Sequence, residues 1–173
     1  MANRRIDKDF YMQDCLTVAP MLIGKNIVRK FEDGSVKKYK ITETEAYKGE
    51  NDSACHAKCG KTKRNAPLYE SGGLAYVYLC YGIHNLLNVV TSGEGDPQAV
   101  LIRAVEGFNG PGKLTKALLI DKNYNLESFV DSQRIYIEDD LEKHTYRADK
   151  RVGIDYADEA DRNRKWRYIM LEG

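Results

Sequence analysis

Apolar positions recur along the chain in two rhythms. Between Asp14 and Leu22 they return at three- and four-residue intervals (Cys15, Val18, Ala19, Leu22), which predicts a short helix in spite of Pro20. Lys25 to Phe31 and Val36 to Glu45 are rich in β-branched and aromatic residues, and Glu32-Asp33-Gly34-Ser35 between them is a turn signal, so two strands are expected. From Lys48 to Gly73 branched apolar residues become scarce, which predicts a long polar loop of the kind that usually carries function. Strand rhythm returns in Leu74 to Cys80, breaks at Tyr81-Gly82, and resumes in Leu86 to Thr91 and Val100 to Val105. Gly110-Pro111-Gly112 reads as a turn, Lys113 to Ile120 as a short helix, and Arg134 to Glu138 and Trp166 to Leu171 as two more strands. No repeat, low-complexity tract or linker divides the sequence. The expectation is one mixed α+β domain over 1–173, with strands in the majority.

Composition narrows the setting. With 42% hydrophobic and 31% charged residues, and no apolar run approaching the roughly twenty residues a bilayer span requires, no membrane partner is expected. The opening Met-Ala-Asn-Arg-Arg-Ile-Asp-Lys-Asp-Phe lacks the apolar core of a secretory signal. A cytoplasmic protein is therefore expected, with Cys15, Cys55, Cys59 and Cys80 as reduced thiols.

A net charge of +1 decides nothing about polyanionic partners, but its distribution is uneven. Lys58, Lys61, Lys63 and Arg64 fall in a stretch without acids, and Arg162, Arg164, Lys165 and Arg167 cluster near the end. These segments are either solvated loops or a phosphate-binding face.

Three groups of residues could carry chemistry. Glu43 and Glu45 share one face of a strand that runs into the long loop, where a carboxylate can serve as a general base; two exposed strand glutamates would look the same. Tyr47, His56, Tyr76, Tyr78 and Tyr81 crowd one region of a chain with 12 tyrosines and only 4 phenylalanines. Rings with polar rims suit a pocket that stacks on a nucleobase, although tyrosines also occur in cores when their hydroxyls find partners. Cys55, His56, Cys59 and Cys80 invite a zinc reading, but paired Cys-x-x-Cys units are missing and Cys80 falls inside a strand. The His-x-Glu and Pro-Cys-x-x-Cys motifs of zinc deaminases are absent, which removes that class of base-flipping enzyme.

Ordered motifs then add a resemblance. Glu-Thr-Glu-Ala-Tyr (43 to 47), Ala-Cys-His-Ala (54 to 57), Thr-Lys-Arg-Asn (62 to 65) and the run from Gly72 to His84 are followed by Leu-Asn-Val-Val-Thr (87 to 91), Ala-Val-Leu-Ile-Arg-Ala (99 to 104), Gly-Pro-Gly-Lys-Leu-Thr-Lys-Ala-Leu (110 to 118) and Arg-Val-Gly-Ile (151 to 154). In this order and spacing they resemble the alkyladenine (3-methyladenine) DNA glycosylase family.

The resemblance implies a monomeric base-excision enzyme without metal or organic cofactor. Its partner would be double-stranded DNA bearing an alkylated or deaminated purine: 3-methyladenine, 7-methylguanine, hypoxanthine or ethenoadenine. The implied fold is one compact domain on a mostly antiparallel curved sheet, with short helices and a protruding hairpin that enters DNA. Glu45 matches the general base, and Arg103 the arginine that holds the attacking water and a phosphate. Tyr47 and His56 match one wall of the base pocket, Tyr78 the opposing wall, and Asn88 the side chain that crowds the amine of normal guanine. Tyr81 matches the ring inserted into DNA, with Ile83 beside it, and Lys61, Lys63 and Arg64 are candidate DNA-backbone contacts. The sequence departs from the family's pattern where Glu106 to Gly110 replaces a longer connection, and where Asn85 and Leu86 stand in place of an aromatic and a cysteine. A non-catalytic nucleic-acid-binding module and a zinc hydrolase using Cys55, His56 and Cys59 remain as alternatives.

Overall fold

The computed structural model describes residues 4–172. Met1, Ala2, Asn3 and Gly173 lie outside them, including the first three residues of the segment read above as a poor export signal. The chain begins with α1 (Lys8–Tyr11), which sequence rhythm did not indicate, and α2 (Cys15–Leu22). Asp14 caps α2 by accepting the N–H of Leu16, and Cys15, Val18, Ala19 and Leu22 form its buried stripe.

Strands β1 (Asn26–Lys30) and β2 (Val36–Tyr47) pair antiparallel. Next come β3 (Ala75–Cys80), β4 (His84–Thr91), β5 (Gln98–Val105) and the short β6 (Phe108–Asn109). The chain continues through α3 (Pro111–Leu118), β7 (Ile135–Glu138), β8 (Tyr146–Asp149), α4 (Glu159–Arg162) and β9 (Arg167–Met170). The strands form one curled, all-antiparallel sheet in the order β3-β4-β5-β2-β1-β7, with β9 against β2, β8 against β9 and β6 against β5. The fold is α+β.

Two differences from the sequence reading have clear causes. Gly110-Pro111-Gly112 is the start of α3 rather than a separate turn, because Pro111 occupies the first helical position, where a missing N–H costs nothing. Strand β8 went unread because Tyr146-Arg147-Ala148 faces solvent on both sides and shows no apolar alternation. The loop from 48 to 73 is irregular as expected, apart from a 3-10 turn at Ala66–Tyr69.

Side-chain alternation divides the sheet's labour. Ala75, Val77, Leu87, Val89, Val100 and Ile102 join Val18, Leu22, Leu114, Leu118 and Phe129 in the main core. The opposite face carries a lateral row set by strand register. Tyr76 pairs with Asn88, Asn88 with Leu101, Leu101 with Glu45, and Glu45 with Arg167, so five strands each contribute one side chain. The register of β2 against β5 is irregular between Ile41 and Thr44, beside Glu43 and Arg103. Such bulges bend a strand and re-aim side chains.

Hairpin β3–β4 closes over Tyr81-Gly82-Ile83, and Tyr81 sits at φ 52°, a left-handed conformation rare for an aromatic residue. Tyr81 and Ile83 are 87% and 72% exposed, so the tip projects its two apolar side chains into solvent. The connection after β5 is a hairpin as well, with Glu106-Gly107 turning between Val105 and Phe108. No helix among the described residues is long and apolar enough to cross a membrane.

Candidate active site

The row-bearing face of the sheet, the loop from 48 to 73, the start of α3 and the segment 152–156 enclose a cavity of about 620 Å³. Glu45, Arg103, Tyr47, His56, Tyr78, Asn88 and the hairpin residue Tyr81 all line it. Of the base-pocket and hairpin residues named from the sequence, Ile83 alone stands outside the lining.

Glu45 is fully buried at the floor of this cavity. Val152 donates its backbone N–H to Oε2 at 2.6 Å, the Tyr47 hydroxyl donates to Oε1 at 3.1 Å, and Arg103 Nη1 stands 3.8 Å from Oε1. Burial pushes the Glu45 carboxyl above its ordinary range, opposed by the Val152 N–H, the Arg103 charge and the Tyr47 hydroxyl. A carboxyl raised by burial at the floor of a cavity is the kind of perturbation that marks catalytic carboxylates. Glu43 is engaged differently: Arg103 Nε and Arg167 Nη1 donate to its two oxygens at 2.7 and 3.1 Å. Of the two strand carboxylates, Glu45 faces the cavity and Glu43 orients the arginine.

The aromatic walls come from the loop and from β3. His56 and Tyr78 have ring centroids 4.4 Å apart, and the Tyr76 hydroxyl lies 3.0 Å from His56 Nδ1. Burial and then the nearby Arg64 charge lower the His56 pKa, so its imidazole is neutral at pH 7. Burial pushes the Tyr76 hydroxyl up to about 12 and raises those of Tyr47 and Tyr78 as well, so all three act as un-ionised polar rims. Asn88, only 4% exposed, donates Nδ2 to the Tyr76 carbonyl at 3.2 Å.

Sequence reasoning missed the support behind Tyr47. Arg151, fully buried at its side chain, grips Asp52 through two nitrogens at 2.6 and 2.9 Å and donates to the Ala46 carbonyl at 2.9 Å. Its guanidinium lies 4.9 Å from the centroids of both Tyr47 and Trp166. This clamp fixes the segment whose next residue, Val152, bonds Glu45. Its only signal in the sequence was the Arg-Val-Gly-Ile motif, which carried no assigned role. Tyr156 also lines the cavity, with its hydroxyl donating to the Ala54 carbonyl at 2.6 Å.

The basic loop residues are placed unequally. Lys61 lies 5.6 Å from the Tyr69 ring centroid, and Arg64 donates to the Leu79 carbonyl at 3.1 Å while covering Tyr78. Lys63 is exposed. Cys55, His56, Cys59 and Cys80 do not converge as three ligands of one ion; the single grouping of that kind among the described residues is Asp140, Glu142 and His144.

Comparison with known proteins gives a consistent result. The family model described as methylpurine-DNA glycosylase matches residues 9–110 and 105–172, two segments that meet at the Glu106-Gly107 hairpin. Proteins with the provisional name 3-methyladenine DNA glycosylase include one from Borreliella burgdorferi, 41% identical over 180 residues and covering 96% of each chain. Others come from Methanocella arvoryzae (42% identical; 94% of this chain, 90% of the relative) and Desulfitobacterium hafniense (40% identical; 96% and 95%). The chain belongs to the methylpurine-DNA glycosylase family.

Proposed function

We propose that this protein is a monofunctional DNA glycosylase that acts as a monomer on chromosomal DNA in the cytoplasm, as a single domain. It removes alkylated or deaminated purines of the 3-methyladenine, 7-methylguanine, hypoxanthine and ethenoadenine class from duplex DNA. One observation carries the reading: a buried carboxylate, Glu45, stands 3.8 Å from Arg103 at the floor of a cavity walled by Tyr47, His56 and Tyr78. That separation is too long for a direct hydrogen bond and fits a shared water.

The reaction follows from these groups. The target nucleotide leaves the base stack, at a cost of a few kcal/mol that is least for damaged or mispaired bases. Tyr81 fills the gap with Ile83 beside it, which restores stacking. The His56 and Tyr78 rings, now 4.4 Å apart, separate to admit the base between Tyr47 and His56 on one side and Tyr78 on the other, and the backbone N–H of His56 reads the purine edge. Asn88 crowds the exocyclic amine of guanine. Glu45 takes a proton from the water, the water oxygen bonds to the sugar C1′, and the C1′–N9 bond breaks with its electron pair going to the purine. A base methylated at N3 or N7 leaves neutral, and its cationic ground state is attracted to the tyrosine faces, whereas hypoxanthine and ethenoadenine leave as anions that take up a proton from solvent. The neutral His56 does not repel it. Lys61, Lys63 and Arg64 contact the DNA backbone. No lysine forms a Schiff base, and no metal or organic cofactor enters.

The test is incubation with duplexes bearing a single hypoxanthine, ethenoadenine or 3-methyladenine. Free base should appear with wild type and vanish in Glu45→Gln while binding persists, with no borohydride-trapped adduct. Binding without base release from any of the three lesions would instead favour a non-catalytic nucleic-acid-binding module.

A further inference from the structure

A second cavity, of about 400 Å³, runs along the outer edge of β3 on the far side of Tyr76 and Tyr78. This strand ends the sheet, and its free edge is only partly satisfied. Ala75 bonds to Leu126 and Glu127, Asn125 Oδ1 accepts the Val77 N–H, and Arg64 donates to the Leu79 carbonyl. Two segments remote in sequence meet at this edge: Lys63 and Arg64 from the long loop, and Lys122 from the 3-10 turn Lys122–Tyr124.

The cations near this face differ in what holds them. Lys58 and Lys61 lie over the Tyr156 and Tyr69 rings, and Arg64 is fixed against β3. Among the described residues Lys63 and Lys122 have no ion-pair partner, and no acidic side chain lines the cavity. A concave site with two uncompensated ammonium groups beside a fixed guanidinium is built for an anion. Its place identifies the anion's source. The cleft reaches Leu79, two residues from Tyr81 and so about 7 Å along the strand, and nucleotides on one DNA strand rise by about 3.4 Å each.

We propose that this cleft seats a backbone phosphodiester of the duplex that the β3–β4 hairpin enters, with Lys63 and Lys122 as its lysine contacts. The assignment rests on the DNA glycosylase reading above. It adds Lys122 to the DNA footprint, a residue no motif pointed to.

The experiment measures binding of the full chain to a fluorescent duplex across a salt series. Lys122→Gln should weaken binding and reduce the slope of log K against log salt by about 0.9, the effect of one lost phosphate contact. Lys122→Arg should restore both. A scan with neutral methylphosphonate linkages, one position at a time, should find a linkage at which Lys122→Gln costs nothing further, and Lys63→Gln should lose its effect at that linkage too. An unchanged slope, or losses that add at every linkage, would overturn the assignment while leaving the glycosylase reading standing. So would inorganic phosphate binding that the two substitutions abolish without any change in DNA affinity, which marks a free-anion site. Failure of wild type to bind any duplex would overturn both.

Discussion

Val152 donates its backbone N–H to Glu45 across 107 residues of sequence, at 2.6 Å. The bond occupies Oε2 and leaves Oε1 toward Tyr47 and Arg103, so the position of a loop decides which oxygen of a strand carboxylate is available. The expected charge state of Glu45 follows from this setting.

The Glu45 carboxyl titrates higher in the folded protein than in the unfolded chain, so the native state holds the proton more tightly. The resulting stability is fully present below the unfolded pKa and is lost as pH rises through the folded one. Glu45→Gln escapes that loss. Calorimetry should find the variant melting above wild type at pH 7 and close to it near about pH 4, while base release falls to background. Wild-type turnover should decline as pH drops through the raised pKa, so an acid limb at or below the ordinary glutamate value of 4.5 would contradict the assignment.

Arg151 and Asp52 form a buried pair, and removing one partner strands a charge. Arg151→Met and Asp52→Asn should each cost about 3–5 kcal/mol in urea denaturation. The double variant Arg151→Met/Asp52→Asn should cost less than the sum of the singles, because no uncompensated charge remains. Additive losses would mean that the two side chains act separately.

Tyr81 is exposed and holds a left-handed backbone, so it contributes little to packing. Tyr81→Gly should stabilise the fold by up to about 1 kcal/mol, while slowing base release, more for well-paired than for mispaired lesions. Unchanged turnover on well-paired lesions would remove Tyr81 from the inserting role.

Asn88→Ser deletes the bond to the Tyr76 carbonyl and should cost about 1–2 kcal/mol. It should also raise guanine release from undamaged duplex. Continued rejection of guanine by a folded variant would show that another side chain gates the pocket.

Much of this arrangement was legible in the sequence because strand periodicity places residues on faces. Glu43 and Glu45, like Tyr76 and Tyr78, could be assigned to common faces from spacing alone, and the matched motifs named the cavity's main side chains. Pairing between distant segments was not legible. Nothing local joins Arg151 to Asp52 or Lys122 to Lys63, since those encounters depend on how loops return to the sheet. Strand β8 and helix α1 were missed for another reason: short exposed elements lack the apolar repeat that burial imposes.

The row Tyr76, Asn88, Leu101, Glu45, Arg167 ties the proposed catalytic carboxylate to the reading frame of the sheet. Deleting or inserting a single codon in the paired part of β2 would turn Thr44 or Ala46 toward the cavity and bury Glu45 among the aliphatic side chains beneath. A corner such as Glu106-Gly107 should accept added residues more readily, because there they leave every strand in step. The segment from Glu43 to Tyr47 holds Glu45 on the cavity face only at its present length.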